Sequence, residues 1–200
     1  MKSLAYALMF LVLGWILPVQ AADVTEPTQV VEQMTDSVLT VLQKNEGRPV
    51  DRALKKEVAN IILPHIDFTT MSQYVMAQYW RQMTSAQQDQ FVKLFKELLV
   101  KTYSNSLNHY HGQRVKITGS QQISQNPPVA QVNMVIQQPD GGPDIPVIYA
   151  LLQQGNTWRI YNVYIDGVSL VLNYRQSFGQ IAASRGIPAL LRDLKAKVDD

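Results

Sequence analysis

The run Trp158-Arg159-Ile160-Tyr161-Asn162-Val163-Tyr164-Ile165-Asp166-Gly167-Val168-Ser169-Leu170-Val171-Leu172-Asn173-Tyr174-Arg175 changes its hydrophobic period at one glycine. Before Gly167 it is rich in β-branched and aromatic residues, as strands are; after it, Val168, Val171 and Leu172 fall at helical spacing. A strand therefore feeds straight into a helix. Strict alternation puts Trp158 and Ile160 on one strand face and Tyr161, Val163 and Ile165 on the other. Both faces are apolar, so both need a cover: protein core for one, and core or a hydrophobic ligand for the other.

Upstream of this run the chain is helical first and β-rich second. Pro27 suits the first turn of a helix whose apolar stripe is Val30, Val31, Met34, Val38, Val41 and Leu42, ending near Gly47. Asp51 is placed to cap a second helix carrying Leu54, Val58, Ile61 and Ile62, which Pro64 stops. A third helix is expected over about Thr69–Tyr79. Thr84 followed by Gln87 forms a capping box, and the stripe Phe91, Leu94, Phe95, Leu98, Leu99, Thr102, Tyr103, Ser106, Leu107 makes the longest helix.

From Arg114 the pattern becomes strand-like: Val115 and Ile117, then Ala130, Val132, Met134 and Ile136, then Val147, Tyr149 and Leu151, then the strand before Gly167. Asn126-Pro127-Pro128, Pro139 to Pro143 and Gly155-Asn156 are turn clusters between them. An antiparallel meander of four strands follows, with helices after Gly167 to about Ser184 and over Leu190, Leu191 and Leu194. The expected fold class is α+β: N-terminal helices, a curved four-stranded antiparallel sheet and C-terminal helices enclosing a hydrophobic pocket.

The chemistry the chain could carry is restricted. With no cysteine, thiol catalysis and thiolate metal sites are excluded. His109 and His111 stand two apart, off any common helical face, and no carboxylate set accompanies them or His65, which argues against a metal site. There is no glycine-rich phosphate loop, nucleophile elbow or His-Glu-x-x-His helix. Asp166 adjoins the expected cavity mouth, but a strand-to-helix junction also uses aspartate as a cap. Acid–base chemistry needs a second positioned group.

The N-terminus carries Lys2, an apolar stretch from Leu4 to Leu17, Pro18 and the small-residue segment before Ala22. It reads as a secretory signal peptide over residues 1–21, the apolar stretch being shorter than the roughly 20 residues of a spanning helix. Residues 22–200 are then enough for one domain. Its near-balanced charge, a formal net +2 for the whole chain, gives no reason to bind nucleic acid.

His65-Ile66-Asp67-Phe68, Tyr79-Trp80-Arg81, Phe91 to Tyr103, Tyr110-His111-Gly112-Gln113 and above all Trp158 to Arg175 resemble the MlaC family of periplasmic phospholipid carriers, also known as toluene-tolerance proteins. Members often carry aspartate where Asn162 stands. The resemblance implies an α+β fold related to NTF2-like cones, in which sheet and helices enclose acyl chains. It implies a soluble periplasmic carrier moving phospholipid between inner and outer membranes to maintain outer-membrane lipid asymmetry. The expected partners are an inner-membrane MCE-type ABC transporter and an outer-membrane lipoprotein–porin complex, with phospholipid as cargo and no cofactor or catalytic residue.

The candidate lipid contacts are Val75, Leu98, Tyr103 and Leu107 on the helices, Val132, Met134, Ile136, Val147, Tyr149 and Leu151 on the second and third strands, and Tyr161, Val163, Val168, Val171 and Leu172 around the junction. Trp158 is expected to pack elsewhere, Val168 to overlie the open end of the sheet, and Tyr103 to approach it from the long helix. Two rivals remain: an isomerase- or dehydratase-like enzyme with Asp166 as base and Tyr103 as oxyanion donor, and a protein-binding adaptor with an exposed apolar patch.

Overall fold

Local capping chemistry sets most helix starts. The computed structural model describes residues 25–199, so the expected signal peptide and its cleavage point lie outside the described residues. Helix α1 (Pro27–Lys44) begins on Pro27. Helix α2 (Arg52–Ile62) begins where the Asp51 side chain accepts the Leu54 N–H at 2.8 Å, and it tightens into a 3-10 turn over Leu63–His65 at Pro64. Asp67 caps α3 (Phe68–Met76) through the Thr70 N–H at 2.9 Å. The expected continuation to Tyr79 is instead a separate 3-10 segment, Ala77–Gln82, entered through positive φ at Ala77. The Thr84–Gln87 capping box starts α4 (Ser85–Ser104). Leu107 falls in the 3-10 turn Asn105–His109 beyond that helix.

The sheet is antiparallel, in the order β1 (Arg114–Gln125), β2 (Pro128–Gln137), β3 (Ile145–Gln154), β4 (Thr157–Ile165) and β5 (Val168–Ser169). Five strands stand where four were expected. The fifth arises because Asp166 and Gly167, with φ of 50° and 77°, form a two-residue hairpin turn that folds Val168 back opposite Ile165. Asp–Gly with positive φ at both positions is the turn whose twist matches paired strands. Asp166 is therefore a hairpin residue, and the cap of α5 (Leu170–Arg185) is Ser169, whose hydroxyl accepts the Leu172 N–H at 3.1 Å. Helix α6 (Ile187–Asp199) closes the described chain.

One break in register decides which side chains face inward. Ala150 pairs with Asn162 but the next residue, Leu151, pairs with Ile160, so Tyr161 is a β-bulge residue. Directly paired residues share a sheet face. Tyr149 opposite Val163 and Leu151 opposite Ile160 thus put Val163 and Ile160 on the same side, with Trp158 beside them. This corrects the expectation from strict alternation, in which Trp158 and Ile160 faced away from Val163.

Two cores support the sheet and helices. Against the inner sheet face, Val30, Val31 and Met34 of α1 pack on Ala130, Val132, Leu151, Trp158 and Ile160. A helical core holds Met71, Val75, Phe91, Phe95, Leu98, Val171, Phe178 and Leu190. In it the Phe95 ring meets Tyr174 edge-on at 5.1 Å and Phe91 meets Phe178 at 5.8 Å. The two cores meet where the chain after α2 adds to β4: Ile66 bridges Ile160, and the Asp67 N–H donates to the Ile160 carbonyl at 2.9 Å.

Candidate functional site

Two cavities open between these cores. The first, of about 170 Å³, lies between α2 and α4 over the end of β4. Lys55, Val58, Ala59 and Ile62 line it from α2, at the i, i+3, i+4, i+7 spacing that puts them on one helix face. Leu99, Val100, Tyr103 and Ser104 line it from α4, and Leu63, Ile66, Phe68, Met71, Leu107, Val163 and Leu170 complete it. All but Lys55, Tyr103 and Ser104 are wholly apolar.

The second cavity, of about 360 Å³, lies between α1 and the inner sheet face. Met34, Val38, Leu39 and Leu42 form one wall; Val115, Met134, Ile136, Ile145 and Tyr149 form the other. Ser106, His109, Gln113 and Gln138 give it a polar rim. Ile62 lines both cavities and is the side chain they share. Such apolar hollows with few polar groups suit a hydrocarbon cargo.

The phenols record how dry these spaces are. Burial pushes Tyr149 up to about 12, and Tyr103 to about 12, chiefly through burial and secondarily through the neighbouring Tyr174 phenol. Tyr149 is partly buried and lines the second cavity. His65, beyond α2, is pushed down, first by burial and then by the Arg159 charge. Among the described residues no group of three or more His, Asp or Glu is placed to hold a metal.

Several expected contact residues line the cavities: Tyr103, Leu107 and Val163 the first, Met134, Ile136 and Tyr149 the second. Val132, Val147 and Leu151 share the inner sheet face but are closed over by packing, and Val75, Leu98 and Val171 belong to the helical core. Three expectations are corrected. Tyr161, displaced by the bulge, stacks on the exposed Tyr74 at 5.2 Å and lines neither cavity. Leu172 is 54% exposed because helix α5 buries its Val171 and Phe178 side instead. Val168 is 56% exposed and Tyr103 does not enclose it, because β5 carries it past the helical cover.

Val168 nevertheless lies on the inner sheet face. It pairs with Ile165, which pairs with Val147, which pairs with Met134, which pairs with Ile117. One apolar rung thus crosses all five strands and ends in water. Beside it, buried Asn162 secures the junction: its Nδ2 donates to Ser169 Oγ at 3.0 Å and its Oδ1 accepts the Val171 N–H at 3.2 Å. Asp166 is exposed in the hairpin turn and lines neither cavity.

The walls contributed by α1 and α2 were not among the expected contacts. Their apolar stripes were visible in the sequence, but a stripe shows only that a face needs cover, not that its partner leaves a gap. Lys55 carries the one signal available, a lysine in register with Val58, Ala59 and Ile62.

Comparison with known proteins agrees with this architecture. The chain is 23% identical over 193 residues to the intermembrane phospholipid transport system binding protein MlaC of Haemophilus influenzae, covering 94% of this chain and 89% of that protein. It is 26% identical over 179 residues to the toluene tolerance protein ttg2D of Pseudomonas putida, covering 88% and 82%. The fold matches the solved structure of a phospholipid-binding protein from Ralstonia solanacearum in complex with a phospholipid, with a TM-score of 0.75, 24% identity and coverage of 89% of this chain and 98% of that one. The family model described as MlaC protein matches residues 32–196, nearly all of the described chain, and the protein therefore belongs to the MlaC family.

Proposed function

We propose that the protein is a soluble carrier that takes up phospholipid with its acyl chains in the two cavities and moves it between the inner and outer membranes across the periplasm. The observation that carries this reading is the lining of the α2–α4 cavity, apolar apart from Lys55, Tyr103 and Ser104. Each methylene removed from water is worth about 0.8 kcal/mol, so long acyl chains cross an aqueous space only inside such a lining. The two apolar hollows meet at Ile62, which lines both. The phospholipid-transport name of the Haemophilus influenzae relative and the lipid bound to the Ralstonia solanacearum protein support the same cargo.

Exchange of that cargo with an inner-membrane MCE-type ABC transporter and an outer-membrane lipoprotein–porin complex completes the reading, and would serve outer-membrane lipid asymmetry. Among the described residues no helix is long and apolar enough to cross a membrane. The protein acts without catalysis in this reading. Asp166, the base an isomerase-like reaction would need, stands in an exposed turn away from both linings. Native mass spectrometry of protein purified without added lipid, with phosphorus analysis of its extract, tests the proposal. Stoichiometric phospholipid is expected; bare polypeptide with no extractable phosphorus would overturn it.

A further inference from the structure

Among the described residues, Lys55 is the one formally charged side chain in the lining of the α2–α4 cavity. It stands a full turn before Val58 and Ala59 and two before Ile62, and like Ser104 in the same lining it is partly exposed. Its Nζ donates to the Oδ1 of exposed Asn105 at 2.9 Å, tying α2 to the turn after α4. That partner is neutral. The ion pairs found among the described residues are Arg185–Asp193 and Lys195–Asp199, so no carboxylate neutralises Lys55 there. Asp51, the cap one turn before Lys55, accepts the Leu54 N–H through Oδ1 and forms no ion pair with Lys55.

We propose that Lys55 is the headgroup contact of this carrier: its ammonium receives the phosphodiester anion of a lipid whose tails fill the adjoining cavity, with Asn105 as the partner the phosphate displaces. The assignment rests on the carrier reading and sharpens it to the residue that reads the lipid's phosphodiester. An ammonium has three donors and Asn105 uses one, so two remain for phosphate oxygens. The ammonium assists both bonds, but only the phosphate also brings an opposite charge, and that Coulomb attraction sets the direction of exchange. The apolar lining beside it rejects free hydrated phosphate and favours the same anion attached to hydrocarbon.

The bland alternative is that Lys55 lays its aliphatic stem over the cavity and serves only as a strut to Asn105. The test separates the two. Delipidated protein is offered phosphatidylglycerol and, in parallel, the diacylglycerol with the same acyl chains, and uptake is read by native mass spectrometry. The wild-type chain is expected to prefer phosphatidylglycerol. Lys55→Gln should lose that preference by about tenfold while still taking diacylglycerol, the scale of one charge-assisted bond. Lys55→Arg should keep it, and Asn105→Ala, which removes the strut and leaves the cation, should keep it too.

Equal preference in wild type and Lys55→Gln would overturn the assignment, as would loss of preference in Asn105→Ala matching that in Lys55→Gln. Inorganic phosphate alone, at millimolar concentration, should show no saturable binding; binding that Lys55→Gln abolishes would make this a free-phosphate site and overturn the lipid assignment. If wild type takes up neither lipid, the carrier reading itself fails. If it takes up both and only the headgroup preference is missing, that reading stands and Lys55 alone is withdrawn.

Discussion

Tyr149 and Val163 face each other across the β3–β4 ladder, yet each lines a different cavity. A single cross-strand pair is thus the shared floor of both hollows, and Ile62, reaching down from the end of α2, is their shared wall. The two spaces are neighbours on one sheet.

That arrangement makes Ile62 the most economical place to block uptake. Ile62→Trp adds a ring at the one side chain that lines both hollows. Bound phospholipid per protein, from phosphorus analysis, should fall several-fold. Because Ile62 is only half-buried, the overpacking cost should stay near the low end of the usual ~1–3 kcal/mol. Unchanged lipid content would mean that the cargo does not run past this side chain.

Val168 ends the apolar rung that begins at Ile117 and is exposed. A carboxylate there costs the folded protein little, within ~0.5 kcal/mol for an exposed position. Against a lipid crossing the sheet edge the same carboxylate would lose its hydration. Val168→Glu should therefore copurify with much less phospholipid while its urea midpoint stays put. Parental lipid content would show that the cargo stops short of β5.

Asn162 joins strand and helix through Ser169 and the Val171 N–H, so its removal orphans buried polar groups. Asn162→Leu should lower unfolding free energy by about 2 kcal/mol, the scale of unsatisfied buried donors and acceptors. Asn162→Asp should be tolerated, since the start of α5 favours negative charge and the Ser169 hydroxyl can donate instead of accept. Urea titrations of both variants check this; equal losses would show that charge there is as harmful as an apolar group.

Tyr149 links the dry second cavity to alkaline stability. Its phenol ionises near 12 when folded and near 10 when unfolded, so between those values the folded state holds a proton that the unfolded state has released. Stability must therefore be full below pH 10 and fall as pH rises through that window, by about 1.4 kcal/mol per pH unit for one such group. Tyr103 adds to the slope, less strongly because it is more exposed. Tyr149→Phe should flatten the decline and change neutral-pH stability little; an unaltered slope would place the Tyr149 hydroxyl in contact with solvent.

Where the fold depends on local chemistry, the sequence displayed it. Asp51, Thr84 with Gln87, and Pro64 mark helix ends through groups within three residues of one another, and the breaker clusters mark the hairpins. The site depends on longer-range arrangement and was legible only in part. Met134, Ile136 and Tyr149 follow from alternation along unbroken strands. Tyr161 could not, because alternation is counted from a neighbour and the bulge resets the count. Val58, Ile62 and Leu42 were visible as helix stripes, but the space between two stripes belongs to neither segment.

The reset at Tyr161 has an arithmetical character. With that residue deleted, plain alternation would leave Trp158, Ile160, Val163 and Ile165 facing as they do now, and Asn162 and Tyr164 facing as they do now. Tyr161 is in that sense supernumerary: it contributes no phase to the strand, only a bend and a partner for Tyr74. The hollow of the sheet on this side is written into the chain as one surplus residue.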